Sequence, residues 1–148
     1  MKKTLLYRWF GIGAIPKELR PALESEGIVV ADEGMGGWFV TRDVKGPGRR
    51  YRYRMEGFSG SLAVTGKRVV CYTYGRCQLD LATDDPRIRD LRVEVPATDR
   101  FRIAFESSLF HDGWQGVIEL RFRTLKAQQF LEALTGLGAG RPGAGGEG

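Results

Sequence analysis

The sequence is poor in the residues on which metal binding and covalent stabilisation most often depend. Its 148 residues include one histidine and two cysteines, too few for a disulfide framework or a four-thiolate zinc site. The longest run without a charged residue covers the ten residues from 57 to 66, whereas a transmembrane helix needs about 20 apolar residues. With 42% hydrophobic residues, the composition predicts one globular domain, soluble or peripheral to a membrane.

Motifs of the common enzyme classes are also missing. The chain has no Gly-x-Ser-x-Gly elbow and no His-Glu-x-x-His helix, and the glycines at 34–37 lack the Lys-Ser/Thr of a phosphate loop and are expected to form turns. A metal site would need two or three further ligands beside His111, and only Asp99 or Asp112 could join it. His111 is therefore expected at a solvent-exposed hairpin tip. Asp84-Asp85-Pro86 is expected to form a turn that caps a helix rather than a calcium loop. The sequence therefore predicts no enzyme activity, no metal and no cofactor.

The N-terminus resembles an export signal in its first residues only. Two lysines precede Leu5-Leu6, but Arg8 interrupts the apolar stretch that such a signal needs, so a cytoplasmic protein is predicted. Trp9 and Phe10 lie in this apolar and basic segment, which either docks on the domain, the favoured alternative, or touches a membrane interface. A short helix is expected within residues 15–24, limited to two turns by Pro21.

Alternation of apolar and polar residues over 27–123 predicts half-buried strands. The pattern is clearest at 91–95, 101–105 and 118–122. Further strands are predicted at 28–32, 38–44, 50–55, 61–65, 67–74 and 76–81, separated by breaks that contain glycine, such as Gly34, Gly36-Gly37 and Gly57. Short strands about ten residues apart predict an antiparallel β-barrel or β-sandwich rather than a parallel sheet.

A helix from Thr124 to Thr135 is predicted to follow the last strand. One face at helical spacing is apolar, formed by Ala127, Phe130, Leu131 and Leu134. Thr124 is the expected cap, and Gly136 the expected end. Residues 136–148 hold seven of the 21 glycines and are predicted to form a flexible tail. The predicted organisation is an N-terminal segment at 1–26, one domain at 27–135 and the tail.

Positive charge is concentrated in one stretch of the chain. Residues 42–54 contain six Lys or Arg and one Asp, and the whole chain has a net charge of +5, so the other residues sum to zero. A single local positive field is predicted, at which an anionic partner would bind. The candidate binding residues are Lys45, Arg49, Arg50, Arg52 and Arg54.

The cations of this stretch alternate with larger apolar residues, which leaves two interpretations open. In an ordinary half-buried strand, the arginines would face solvent and Tyr51, Tyr53 and Met55 would be buried. In a binding surface, the arginines would contact an anionic lipid surface or a protein. Single-stranded nucleic acid needs aromatics and cations on one surface, whereas alternation sends them to opposite faces. Nucleic acid is therefore a disfavoured partner.

The two cysteines are symmetric about Tyr74, at positions 71 and 77, so they are expected to stand opposite each other across a hairpin. Such a pair could form a redox-sensitive disulfide. In a reducing cytoplasm two free thiols are the favoured outcome, with Cys71 packed as a small apolar residue.

The segment Gly60-Ser61-Leu62-Ala63-Val64-Thr65-Gly66-Lys67-Arg68-Val69-Val70-Cys71-Tyr72 resembles a hairpin of GRAM-type and bacterial pleckstrin-homology-like (PH-like) domains. In this hairpin Leu62 and Val64 would face the core, and Val70 and Tyr72 would return beside them. The last strand and helix also resemble the closing elements of that fold, so the resemblance spans about residues 27–135.

The resemblance implies a PH-like barrel or sandwich capped by its C-terminal helix, in a superfamily that contains lipid, peptide and protein binders. Lys45, Arg50 and Arg52, or Arg52 and Arg54, resemble in type the basic pattern of phosphoinositide-binding members. The favoured function is a non-enzymatic binding module, cytoplasmic or peripheral at the membrane, that contacts a protein or an anionic surface. Two alternatives stay open. One is a lipocalin-like carrier of a small apolar ligand, which is disfavoured because large residues would fill the interior, such as Phe101, Phe105, Phe122, Tyr51 and Tyr53. The other is a domain that oligomerises through strand edges.

Overall fold

A computed structural model describes residues 14–46, 48–74, 76–110 and 113–140, with the side chains of Arg49 and Tyr51 left out of the description. The predictions made for His111, for the segment with Trp9 and Phe10, and for residues 141–148 lie outside these ranges.

Seven antiparallel strands dominate the described residues and form one sheet in the order β4-β3-β2-β1-β7-β6-β5. The elements are helix α1 (Arg20–Glu26), strands β1 (Ile28–Gly46), β2 (Arg49–Thr65), β3 (Arg68–Thr73), β4 (Arg76–Ala82), β5 (Arg92–Ala97), β6 (Arg100–Glu106) and β7 (Gln115–Arg123), and helix α2 (Ala127–Gly136). The predicted mainly β fold, an antiparallel sandwich with a C-terminal helix and a short N-terminal helix, is confirmed.

Strands β1 and β2 are long because the predicted glycine breaks do not interrupt them. Gly34 has φ +67° and lies where the β1–β2 register shifts, between Asp32 and Met35, so it forms a bulge rather than a turn. Gly37 and Gly57 lie inside paired strands. Each long strand therefore replaces two short strands predicted from the sequence.

The bulge lets the sheet fold over on itself and enclose one apolar core. Residues of β2, β3 and β4, such as Leu62 and Leu79, belong to the same buried cluster as Phe101 and Phe122 of β6 and β7. Phe122 contacts the rings of Phe58 and Phe101 at centroid distances of 5.3 and 6.5 Å. The core is thus filled by side chains from both halves of the sheet.

Helix α2 closes the core against β5, β6, β1 and β2. The four predicted apolar residues are buried, but the helix begins three residues later than predicted. The Thr124 hydroxyl instead donates a hydrogen bond to Asp32 Oδ2 at 2.7 Å and accepts one from the Lys126 amide at 3.1 Å. Beyond the helix, Ala139 is buried and Gly140 pairs with β5, so residues 136–140 are packed although a flexible tail was predicted from 136.

Helix α1 covers the other face of the β2–β3 hairpin. It has two turns as predicted, but it lies later than the expected residues 15–24, because Pro21 occupies its first turn instead of interrupting a helix that starts near residue 15. Its Leu23 is buried against Ala63 and Val70. At its end, Glu26 pairs with Arg68 at 2.9 Å and lies 2.8 Å from the Thr65 hydroxyl, which donates to it. These contacts tie the helix to the hairpin turn.

The β2–β3 register differs by one residue from the predicted one. Leu62 pairs with Cys71 and Val64 with Val69, and directly opposite residues share a face. Val69 and Cys71 therefore point into the core, whereas Val70 and Tyr72 point toward the α1 side.

The two cysteines do not stand opposite each other, because Cys71 pairs with Leu79 and Tyr72 with Cys77. Both thiols are free, with Cys71 buried and Cys77 exposed, as the favoured interpretation predicts. The expected cap at Asp85 is confirmed, since its carboxylate accepts from the Arg87 amide at 2.9 Å at the start of a 3-10 helix, Pro86–Asp90.

Candidate anion-binding site

The predicted binding residues lie on the basic hairpin, which we define as residues 42–54 at the β1–β2 turn. Lys45 pairs with Arg50 across the turn, and Lys45, Arg50, Arg52 and Arg54 are exposed. Arg54 forms an ion pair with Glu56 at 2.5 Å. The structure thus brings four of the five candidate residues together in solvent, while the side chain of Arg49 is not described.

Tyr53 and Met55 of β2 are not buried, contrary to the half-buried interpretation. Tyr53 is 56% exposed and Met55 is 39% exposed, so Tyr53 does not fill the interior. Packing in the core therefore does not explain why Tyr53 and Met55 are large and apolar. Both faces of this part of β2 remain open to a partner.

A second basic surface lies on the outer face, defined as the side of β5, β6, β7 and the paired β1–β2 segments that points away from the core. Cross-strand partners share a face, and the register places Arg102 opposite Arg121 and Arg100 opposite Arg123. Trp38 is opposite Arg121 on the other side of β7. Neighbouring strands therefore bring arginines and an aromatic residue together.

These side chains line a groove of about 560 Å³, within the usual size range of ligand sites. We call it the arginine groove and define it by Arg100, Arg102, Arg121 and Arg123 with Trp38 and Met55. Asp99 is the one acidic residue in its lining, and Glu94 and Glu119 pair with Arg102 and Arg121 beside it. Four cations and these three anions leave a net charge of +1. The groove should attract anions.

A buried carboxylate holds part of this face in place. Glu119 on β7 has a side chain only 2% exposed and lies 2.6 Å from Arg121, 3.0 Å from Arg42 and 3.3 Å from Arg102. Arg102 also forms an ion pair with Glu94 on β5. One carboxylate therefore orients arginines from three strands, and the remaining guanidinium N–H groups can bind a ligand.

The ionisation of Glu119 follows from these neighbours. Burial raises the pKa of Glu119, but the hydrogen bond from Arg121 and the charges of Arg102, Arg121 and Arg42 outweigh burial and hold the pKa below its usual range. Glu119 is therefore ionised at neutral pH, and the three arginines do not repel one another without compensation.

Summing charge along the sequence missed the arginine groove. Residues outside 42–54 sum to zero, but Arg100, Arg102, Arg121 and Arg123 converge only when β6 and β7 pair. The single positive field predicted from the sequence is therefore incomplete. The available signal was the alternation of arginines with apolar residues in the two strands predicted at 101–105 and 118–122.

Within the described part of the chain, helix α1 packs at the β2–β3 side and no element is placed over the arginine groove. Trp38 and Met55 remain exposed in the groove, and Tyr53 remains exposed farther along the same outer face, opposite Arg42. An exposed set of apolar residues on a charged face is typical of an interaction surface.

In the described ranges, no group of three or more His, Cys, Asp or Glu residues is placed to hold a metal ion. Although Cys77 is exposed as a residue, partial desolvation of its sulfur raises the pKa of the thiol, and the charge of Asp80 raises it further. This thiol is therefore a poor nucleophile. None of the helices found in the described residues has the length and apolar character needed to span a membrane.

Comparison with known proteins gives no family for the chain: no protein-family model matches it, and a search of curated proteins finds no match. Its function must therefore be inferred from the surface described above.

Proposed function

We propose that this chain is a cytoplasmic, non-enzymatic, PH-like binding module that contacts an anionic partner through the basic hairpin and the adjoining outer face. The observation that carries the proposal is the exposure of Tyr53 and Met55 beside unburied arginines. Large apolar side chains left in solvent contribute little to the fold, so a partner is the simplest reason for their position. Seven antiparallel strands and a closing helix support the PH-like assignment.

Charge selects the partner. The chain has a net charge of +5, and its exposed cations Lys45, Arg50 and Arg52 stand where the hairpin extends beyond the core. A second copy of the chain would bring like charges together at this surface. An anionic surface is therefore favoured over self-association.

The two alternatives have weaker support. A carrier of a small apolar ligand needs an open interior, whereas Phe101, Phe122 and Phe130 are each at most 1% exposed and pack in the core. Oligomerisation through a strand edge would use β4 or β5, which end the sheet among the described residues. The edge of β5 is already paired in part with Gly140.

Binding to an immobilised heparin column tests the proposal. We expect the double variant Arg50→Glu, Arg52→Glu to elute at clearly lower salt than the unchanged protein. It should bind vesicles with about 30% phosphatidylserine at least about 30-fold more weakly, since two cations are lost and two carboxylates are added. The estimate follows from about 1 kcal/mol per cation near an anionic surface.

The matched control is Lys17→Glu, Lys67→Glu, which makes the same change in net charge at two exposed positions away from the hairpin. Equal loss of binding in both double variants would show a response to net charge alone. Unchanged binding of the hairpin variant to heparin and vesicles would contradict its assigned role.

A further inference from the structure

We infer that the anionic partner is single-stranded nucleic acid, with a base stacked on Trp38 and phosphates held by the arginine groove. This inference rests on the proposed function and narrows it to one class of partner. Single-strand-binding surfaces combine a positively charged groove with aromatic side chains on which bases stack.

The outer face meets this requirement although the sequence pattern of the hairpin does not. Along one strand, cations and aromatics alternate between faces. Across strands they can share one face, and Trp38 of β1 lies directly opposite Arg121 of β7. The physical reason for disfavouring nucleic acid therefore does not hold on this surface.

Trp38 has the free space that a stacking residue needs. It is 46% exposed, and its cross-strand partner on β2 is Gly57, which carries no side chain. A Cβ at Gly57 would stand 3.6 Å from Cζ3 of the indole, so the ring lies against the backbone of β2. The strand thus supports the ring and leaves indole surface open for a base.

Two kinds of arginine are available for phosphates. Arg102 and Arg121 are oriented by Glu119, and arginines fixed in this way form strong charge-assisted hydrogen bonds with phosphate. Arg123 has no acidic partner among the described residues, and Arg100 lies 3.8 Å from Asp99. The groove therefore offers two preorganised cations and two that are less engaged.

The surface continues past the groove, which favours a strand over a free nucleotide. Arg42 and Tyr53 face each other across β1 and β2 and share the outer face with Trp38. Four residues along β1 correspond to about 13 Å, so a second exposed aromatic and a further cation lie beyond the reach of one nucleotide.

Other occupants fit less well. Residues 1–13 carry three cations and no acidic residue, and a positively charged groove repels them. Trp38 and the arginines line a concave groove. The flat surface of a bilayer cannot enter it to contact these side chains. A duplex keeps its bases paired, so it offers no free base to stack on Trp38.

Fluorescence anisotropy with labelled single-stranded DNA and RNA of about 12 nucleotides tests this inference, within the usual range of site sizes. We expect single strands to bind more tightly than a duplex of the same sequence. Trp38→Ala should weaken binding about tenfold or more, and Trp38→Phe should restore most of the loss, because phenylalanine keeps a ring for stacking.

The salt dependence tests the phosphate contacts separately. Each phosphate contact with a single strand contributes about 0.7 to the slope of log affinity against log salt, so Arg100→Gln, Arg123→Gln should lower the slope by about 1.4. The control Lys17→Gln, Lys67→Gln removes the same charge and should leave the slope unchanged. Neither pair touches Glu119, so these variants should keep the fold.

Each result bears on the inference. It is overturned if Trp38→Ala leaves oligonucleotide affinity unchanged, if a mononucleotide competes as well as the oligonucleotide, or if phosphatidylserine vesicles bind while oligonucleotides do not. Binding to heparin that persists in any of these cases leaves the proposed function standing. If the unchanged protein binds neither heparin nor oligonucleotides, both proposals are contradicted.

Discussion

Replacing Gly37 by alanine is expected to lower the free energy of unfolding by more than about 3 kcal/mol. A Cβ at Gly37 would stand 2.7 Å from Cζ of Phe58 and closer still to the backbone carbonyl oxygen of Arg121. Overpacking typically costs about 1–3 kcal/mol. A carbonyl in a strand ladder cannot rotate away, so β1 and β7 must separate, which places this substitution at or above the upper end of that range. Urea denaturation measures the loss.

The matched substitution is Gly57→Ala, also inside a strand. The nearest atom to a Cβ there is 3.6 Å away, an ordinary contact, so we expect a change within about 0.5 kcal/mol. Similar destabilisation by both substitutions would mean that general glycine effects, rather than the close approach of β1 to β7, explain the Gly37 result.

Replacing Glu119 by glutamine is expected to cost about 3 kcal/mol of stability at neutral pH. The change removes the carboxylate that Arg42, Arg102 and Arg121 share and leaves Glu94, beside Arg102, as their remaining acidic partner among the described residues. Removing one partner of a buried ion pair typically costs about 3–5 kcal/mol. We expect the lower end because the three arginine side chains are 31–43% exposed and solvent screens them in part.

The pH dependence follows from the pKa of Glu119, which lies below its usual range in the folded protein. A lowered folded pKa contributes stability above the unfolded pKa, and this contribution is lost as pH falls through the folded value. The difference in free energy of unfolding between the unchanged protein and Glu119→Gln should therefore become smaller as the pH is lowered. A gap that stays constant with pH would show that the charge of Glu119 is not the cause.

Glu106→Gln provides the control. Glu106 is on the same protein face, but its side chain is 55% exposed and 4.0 Å from Arg92, so it forms at most a weak surface pair. We expect a change in the free energy of unfolding within about 0.5 kcal/mol.

The fold class was predictable because half-buried strands show their period directly. The clearest alternation, at 101–105 and 118–122, lies within β6 and β7 as the structure has them. The lengths of β1 and β2 were not predictable, since glycine serves both turns and close packing. Gly34 supplies a bulge and Gly37 a close approach to β7, and the sequence shows the same residue type in both places.

The candidate site was predictable only in its local part. Cations close together in sequence, such as Arg50 and Arg52, are visible as one stretch and remain exposed on the hairpin. The arginine groove depends on the pairing of β6 with β7 and of β7 with β1. Residues such as Trp38 and Arg123 are 85 positions apart in the chain, so their proximity follows from strand order and not from spacing.

Nuclear magnetic resonance of the ¹⁵N-labelled protein, titrated with a heparin oligosaccharide, tests the central claim most directly. We predict saturable shifts of the Trp38 indole N–H and of the Nε–H signals of Arg102 and Arg121, while the amides of β3 and β4 stay in place. Shifts confined to β3, β4 or helix α1, or no shifts at all, would contradict an anion-binding outer face.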